Sequence, residues 1–256
     1  MADRTARLAV LIDADNASPR IVDGLFEEIA ALGEASVRRI YGDFSSPRSK
    51  GWADELARFA IIPQQQFAYT QGKNASDITL VIDAMDLLLS GRFDGFCLVS
   101  SDSDFTRLAA RIREQGVDVF GFGEQKTPES FRQACRRFIY TENLRAGQLP
   151  AQASEATSAS AEAEAPRRAL RPATDAVPLV GEVIADAEGD DGWAPLDKVG
   201  TMLANLASDF DPRTYGHRKL SDLVRETGQF EIDESDPRRL RIRRKRGGRR
   251  RRKAPV

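Results

Sequence analysis

Apolar residues in the first part of the chain come in short unbroken runs separated by helical repeats. Leu8-Ala9-Val10-Leu11-Ile12 is stopped by Asp13, and Phe96-Cys97-Leu98-Val99 by Ser100, Ser101 and Asp102. Runs without alternation suit parallel strands buried on both faces. Ala35–Tyr41, Phe59–Pro63, Val117–Phe122 and Phe138–Tyr140 read as further strands, with Pro63 ending its strand. Between them, Ile21, Leu25, Ile29 and Leu32 mark a helix closed by Gly33. Trp52, Leu56 and Phe59 mark a short one. Ile78, Val81, Ile82, Met85 and Leu89 mark a third, and Leu108, Ala109 and Ile112 a fourth. Strands alternating with helices predict an α/β domain built on a parallel, doubly wound sheet over residues 1–147.

From Gln148 to Thr174 the pattern dissolves into Ala, Ser, Glu and Pro. So few large apolar side chains cannot offset the entropy of ordering, which predicts a disordered linker. Periodicity resumes over 175–245. Leu179, Val180, Val183, Ile184 and Ala187 predict a helix from about Pro178, and Val199, Leu203 and Leu206 one face of a second. Leu220, Leu223 and Val224 predict a third, and Phe230–Asp233 with Leu240–Arg243 two alternating strands. Three helices followed by a hairpin is the order of a small winged-helix (α+β) domain. Residues 246–256 form a basic tail, continuing the run Arg243-Arg244-Lys245-Arg246, that is too charged to fold alone.

Formal net charge is -1, and that near-zero sum conceals the basic block at the C-terminal end. A local single-sign run favours a polyanionic partner, bound through phosphates with strong salt dependence. Two cysteines, Cys97 and Cys135, stand without Cys-x-x-Cys or Cys/His spacing. Neither a thiolate zinc site nor a disulfide framework is expected. No run of 18 or so apolar residues spans a membrane, and no signal-peptide core follows Met1. The expectation is a soluble cytoplasmic protein.

Topology turns scattered acids into one site. Right-handed crossovers put strand C-termini and the following helix N-termini on one rim of such a sheet. Asp13 ends the first strand, Asp77 lies in the first turn of the third helix, and Asp102 and Asp104 follow the fourth strand. Asp77 and Asp104 also suit first-turn positions that complement a helix dipole. Asp13 and Asp102 directly follow buried strands, where ionised groups crowd at a cost that a divalent cation removes. The four are read together as a metal site. Asp15, Asp83 and Asp86 lack the strand-end placement and are read as solvated or structural. Lys73 and Ser101 are candidates for phosphate contacts, and Arg48 and Lys50, in a polar loop near the same edge, for guiding a nucleic-acid backbone.

Leu11-Ile12-Asp13-Ala14-Asp15-Asn16, Lys73-Asn74-Ala75-Ser76-Asp77 and Val99-Ser100-Ser101-Asp102-Ser103-Asp104-Phe105 resemble the motifs of the NYN domain, a branch of the PIN-like nucleases. The resemblance implies a PIN-like fold and a Mg²⁺- or Mn²⁺-dependent ribonuclease. Asp13, Asp77, Asp102 and Asp104 would hold the metal, and Asn16 would orient a water or the substrate phosphate. Trp193-Ala194-Pro195-Leu196, Phe210-Asp211-Pro212-Arg213-Thr214-Tyr215-Gly216 and Lys219-Leu220-Ser221-Asp222-Leu223-Val224 are similar to the OST-HTH (LOTUS) domain, which implies binding of RNA and sometimes of protein. Tyr215, His217, Arg218 and Lys219 are candidates to face that ligand. The rivals are a non-catalytic RNA-binding adaptor and a DNA-binding regulator. A homo-oligomer that completes a groove is compatible with the resemblance.

Overall fold

The computed structural model describes residues 5–45, 50–66, 75–144, 170–236 and 239–245. The chain forms two compact units, Met1–Arg168 and Ala169–Val256. In the first, the strands are β1 (Arg7–Asp13), β2 (Glu34–Gly42), β3 (Ile62–Gln65), β4 (Gly95–Val99), β5 (Asp118–Gly123) and β6 (Arg137–Tyr140). The helices are α1 (Val22–Leu32), α2 (Lys50–Arg58), α3 (Ala75–Leu89), α4 (Thr106–Glu114), α5 (Glu129–Ala134) and α6 (Thr141–Leu144). All pairings in the sheet are parallel, in the order β3-β2-β1-β4-β5-β6. The expected α/β class and doubly wound topology are therefore present. Strand order reverses between β1 and β4, the crevice position where open α/β sheets bind ligands.

Both faces of the sheet are covered. One packs Leu8, Val10 and Ile12 against Ile21, Leu25 and Ile29, and the other packs Ala9, Leu11, Phe96 and Leu98 against Leu80, Ala84, Leu87 and Ile112. Burial on both sides explains the unbroken apolar runs of β1 and β4. Cys97 and Cys135 are fully enclosed, and burial pushes the Cys135 thiol up to about 12. These thiols are packing residues.

Two local expectations are corrected. Pro63 does not end β3 but lies inside it, opposite Ile40. β3 is an edge strand, so the missing N–H of proline can face outward without breaking a ladder bond. Phe59 and Ala60 instead form the turn out of α2, with Ala60 at a left-handed φ of 51°. The second correction concerns α3. Ile78, Ile82 and Leu89 are 61%, 57% and 77% exposed, while Leu80, Ala84, Leu87 and Leu88 face the sheet. The helix is apolar on two sides, and Asp83 fixes which side turns inward. Its carboxylate accepts the Tyr41 hydroxyl at 2.6 Å and pairs with Arg39 of β2 at 2.7 Å. Leu80→Ala is thus expected to cost about 2–5 kcal/mol in a denaturant melt, and Ile82→Gln no more than about 0.5 kcal/mol. Equal costs would mean that α3 is rotated from this placement.

The second unit holds α7 (Val177–Ala187), β7 (Ala194–Pro195), α8 (Leu196–Leu206), α9 (Leu220–Thr227), β8 (Phe230–Asp233) and β9 (Arg241–Arg244). Val180, Ile184, Val199, Leu203, Leu223, Val224 and Ile242 form its core. The expected hairpin gains a short strand, because Ala194 and Pro195 pair with β9 to give the order β7-β9-β8. Leu206 ends up 53% exposed at the last position of α8 rather than on the packed face. Order begins ahead of the expected Thr174 boundary, since the Arg171 amide donates to the Thr214 carbonyl. The residues expected to form the rest of the linker and the basic tail lie outside those described.

Candidate active site at the switch point

β1 ends in a carboxylate that is only 1% exposed. Desolvation raises the pKa of Asp13, and hydrogen bonds pull against that rise. The Ser100 hydroxyl donates to Asp13 Oδ2 at 2.7 Å, and Asn16 Nδ2 donates to the same oxygen at 2.8 Å. Amides of Asp15 and Asn16 donate to Oδ1 at 3.0 and 3.3 Å. The sheet register explains the first of these contacts. Ile12 pairs with Val99, so the next residues, Asp13 and Ser100, come side by side where β1 and β4 leave the sheet.

β4 runs into a tight turn built by the same groups. The Asp102 amide donates to Ser100 Oγ at 3.1 Å, and Asp102 Oδ1 accepts the Asp104 amide at 2.9 Å, capping the short 3-10 turn Ser103–Phe105. Asp102, read from the sequence as a strand-end acid, thus also caps this turn, and Asp104 holds the first-turn position weighed for it. Asp104 stands exposed one turn on. The Ser101 hydroxyl accepts the Glu124 amide at 2.9 Å, tying this turn to the end of β5.

Asp77 enters from the first turn of α3. Partial burial, then the fields of Asp13, Asp102, Asp15 and Asp104, push its carboxyl up to about 6. Five carboxylates thus share one rim, including all four acids expected there. Asp15, read from the sequence as solvated or structural, joins them. It is exposed in the turn after β1 and accepts the Ser76 hydroxyl at 3.3 Å. Ser100 also went unnoticed, although strand pairing points to it. Asp83 and Asp86 lie further along α3, and Asp83 is the structural anchor described above. Lys50 opens α2 rather than sitting in a loop, and it is exposed. Gly51, beside it, approaches Pro19 in the segment after β1, which keeps Lys50 near this edge. Arg48 and Lys73 lie outside the described residues.

Among the described residues, no three His, Cys, Asp or Glu side chains converge tightly enough to ligate one ion as they stand. The donor chemistry nonetheless suits a hard cation. All candidates are carboxylates, and Mg²⁺ characteristically takes only one or two of them, filling its shell with water and substrate phosphate. The repulsion that raises Asp77 is also what a divalent cation relieves.

Two family profiles match the chain. The NYN domain profile matches residues 7–144 and the OST-HTH/LOTUS domain profile residues 160–242. No curated protein matches the chain. A crystal structure of a protein of unknown function from Vibrio parahaemolyticus is similar at 18% identity and a TM-score of 0.45, over 55% of this chain and 95% of that one. A solution structure of an uncharacterized Nitrosomonas europaea protein aligns at 29% identity and a TM-score of 0.26, over 38% of this chain and 94% of that one. No helix among the described residues is long and apolar enough to cross a membrane.

Proposed function

Because the chain belongs to the NYN domain family, a PIN-like nuclease family, we propose that it is a metal-dependent ribonuclease with an RNA-holding OST-HTH module. The observation that carries this reading is that Asp13, Asp102, Asp15 and Asp104 lie near enough to act electrostatically on Asp77 at the β1/β4 crevice. Asp13, Asp77, Asp102 and Asp104 are the carboxylates that would hold Mg²⁺ or Mn²⁺, one or two directly and the others through water, with Asp15 adding negative potential beside them. A divalent ion at such a site lowers the pKa of a bound water and stabilises charge on the phosphate.

The chain's own residues do the rest. Asp13 presents a fixed carboxylate because Ser100 and Asn16 grip it. Asn16 therefore acts through Asp13 as a positioning residue. The Ser103–Phe105 turn holds Asp102 and Asp104 two residues apart at the mouth. No His is called upon, and the single His217 lies in the other unit. The OST-HTH unit raises the local concentration of RNA at the cutting unit through tethering. A duplex-DNA reader is less well supported. In α9, Arg225 is engaged by Asp222 at 2.7 Å and Glu234 at 2.5 Å, which leaves that helix poor in free cations for a groove.

The test is cleavage of a mixed pool of labelled single-stranded and structured RNAs in Mn²⁺, Mg²⁺ or EDTA, with Asp102→Asn beside the wild type. Cleavage that needs metal and drops by roughly a hundredfold or more in the variant is the expected result. RNA binding without cleavage in every metal would leave the non-catalytic adaptor as the better reading.

A further inference from the structure

The OST-HTH unit contains a groove of about 810 Å³ lined by Pro195, Leu196, Asp197, Gly200, Leu220, Arg239, Leu240 and Arg241. Its volume falls in the range of small-molecule sites, and Pro195, Leu196, Leu220 and Leu240 give it aliphatic walls. Gly200 makes the groove more than a surface dent. It lies inside α8, where glycine weakens a helix relative to alanine. Its φ is not in the left-handed region, and a Cβ there would meet only Leu220 Cδ2, at an ordinary 3.7 Å. Neither backbone conformation nor close packing within the unit requires glycine. What a side chain at this position would occupy is the groove.

Charge at the rim indicates the occupant. Arg239 is exposed and has no ion-pair partner among the described residues. Exposed Arg218 and Lys219 directly precede Leu220. Arg241, which β9 contributes to the lining, is engaged by Asp233 at 2.5 Å and Asp191 at 2.8 Å, so the rim's charge rests on Arg239, Arg218 and Lys219. β9 leads in sequence into the run Arg243 to Lys253. An apolar slot bordered by exposed cations suits a polymer of phosphates bearing flat heterocycles, with the Arg239 guanidinium plane, rather than an aromatic ring, available to stack on a base. Asp197, a carboxylate in the lining, supplies an acceptor for an exocyclic amine.

We propose that the groove between α8, the start of α9 and the β9 approach, kept open by Gly200, receives one unstacked base of single-stranded RNA. The proposal rests on reading this chain as RNA-directed. It adds that the module selects single strands, since a paired base inside a duplex cannot enter a slot. The basic run contributes phosphate contacts common to single and double strands.

The test is binding of the full chain in EDTA, which separates it from cleavage. Fluorescence anisotropy would compare a labelled single-stranded RNA with its duplex, at two salt concentrations, for wild type and Gly200→Leu. Leucine is a strong helix former, so a thermal melt no lower than wild type shows that the variant folds. The expected result is a loss of roughly tenfold or more for the single strand in Gly200→Leu, with duplex affinity and the salt slope unchanged. Gly200→Ala, with a smaller side chain, should fall between. Equal single-strand affinity in a folded Gly200→Leu overturns the proposal. So does a wild type that does not prefer the single strand. If Gly200→Leu abolishes capture of an acidic, leucine-rich peptide but spares RNA, the groove is a protein site and the proposal also fails.

Discussion

Asp77→Asn is expected to make the protein more stable and less active at once. In the folded chain Asp77 holds its proton up to about pH 6, against an ordinary value of 3.8. The unfolded chain releases that proton first. Between about pH 4 and pH 6 the folded state therefore binds more protons, and stability falls as pH rises through this window. At pH 7 the ionised Asp77 bears the cost of its partial burial and then the repulsion of Asp13, Asp102, Asp15 and Asp104. Asparagine removes that charge. In EDTA the variant should melt above wild type at pH 7, and the two should converge below pH 4. Mg²⁺ or Mn²⁺ should raise the wild-type melting temperature and do much less for the variant. Cleavage should fall by roughly a hundredfold or more, as for other groups that stabilise transition-state charge. At limiting metal, wild-type cleavage should rise through about pH 6 as Asp77 ionises. A variant that melts at the wild-type temperature at pH 7 would mean that neither burial nor the neighbouring carboxylates disfavour the ionised Asp77.

How far the sequence revealed this site depends on which rule governed each residue. Asp13 and Asp102 were legible because a buried parallel strand has to end somewhere, and an acid at that point has few ordinary explanations. Parallel topology then brought Asp77 and Asp104 to the same rim. Asp15 was not legible by that logic. It lies two residues past the strand, and only the contact with Ser76 shows that its turn reaches α3. Ser100 was recoverable in principle, since parallel pairing sets it beside Asp13, but the register between β1 and β4 is a tertiary fact.

The two misread elements failed for physical reasons of a different kind. α3 carries two apolar stripes, and periodicity alone cannot say which one faces the sheet. The decision rests on Asp83, whose partners Tyr41 and Arg39 lie some forty positions earlier, on β2. Pro63 was read by the rule for interior strands, whereas β3 lies at the edge. In the second unit the helices followed from their cores, but the β7 strand comprises two residues and exists only through pairing with β9. Tyr215, a candidate ligand contact, packs against Phe210 with ring centroids 6.0 Å apart. Arg171 engages its hydroxyl. The ordinary packing role fits it better.

Asp13→Ala should show the opposite stability sign from Asp77→Asn, although both remove an acid from one cluster. Asp77 is a half-buried charge among like charges. Asp13 is buried and accepts four hydrogen bonds, from Ser100, from the Asn16 side chain and from two backbone amides. Deleting it leaves those donors without their acceptor. The Ser100 hydroxyl, the most enclosed of them, has no ready access to water. The expected cost is about 2–4 kcal/mol in a urea melt at pH 7, together with loss of cleavage. Ser100→Ala provides the graded control. It should cost about 1 kcal/mol and shift the metal concentration needed for half-maximal cleavage upward, because Asp13 loses one grip but keeps its charge. The pair of signs is the discriminating result. If both acids stabilise the fold, Asp77 is not repelled by its neighbours; if both destabilise it, the network around Asp13 does not hold that carboxylate. Opposite signs are what one buried, hydrogen-bonded carboxylate and one half-buried carboxylate among like charges require.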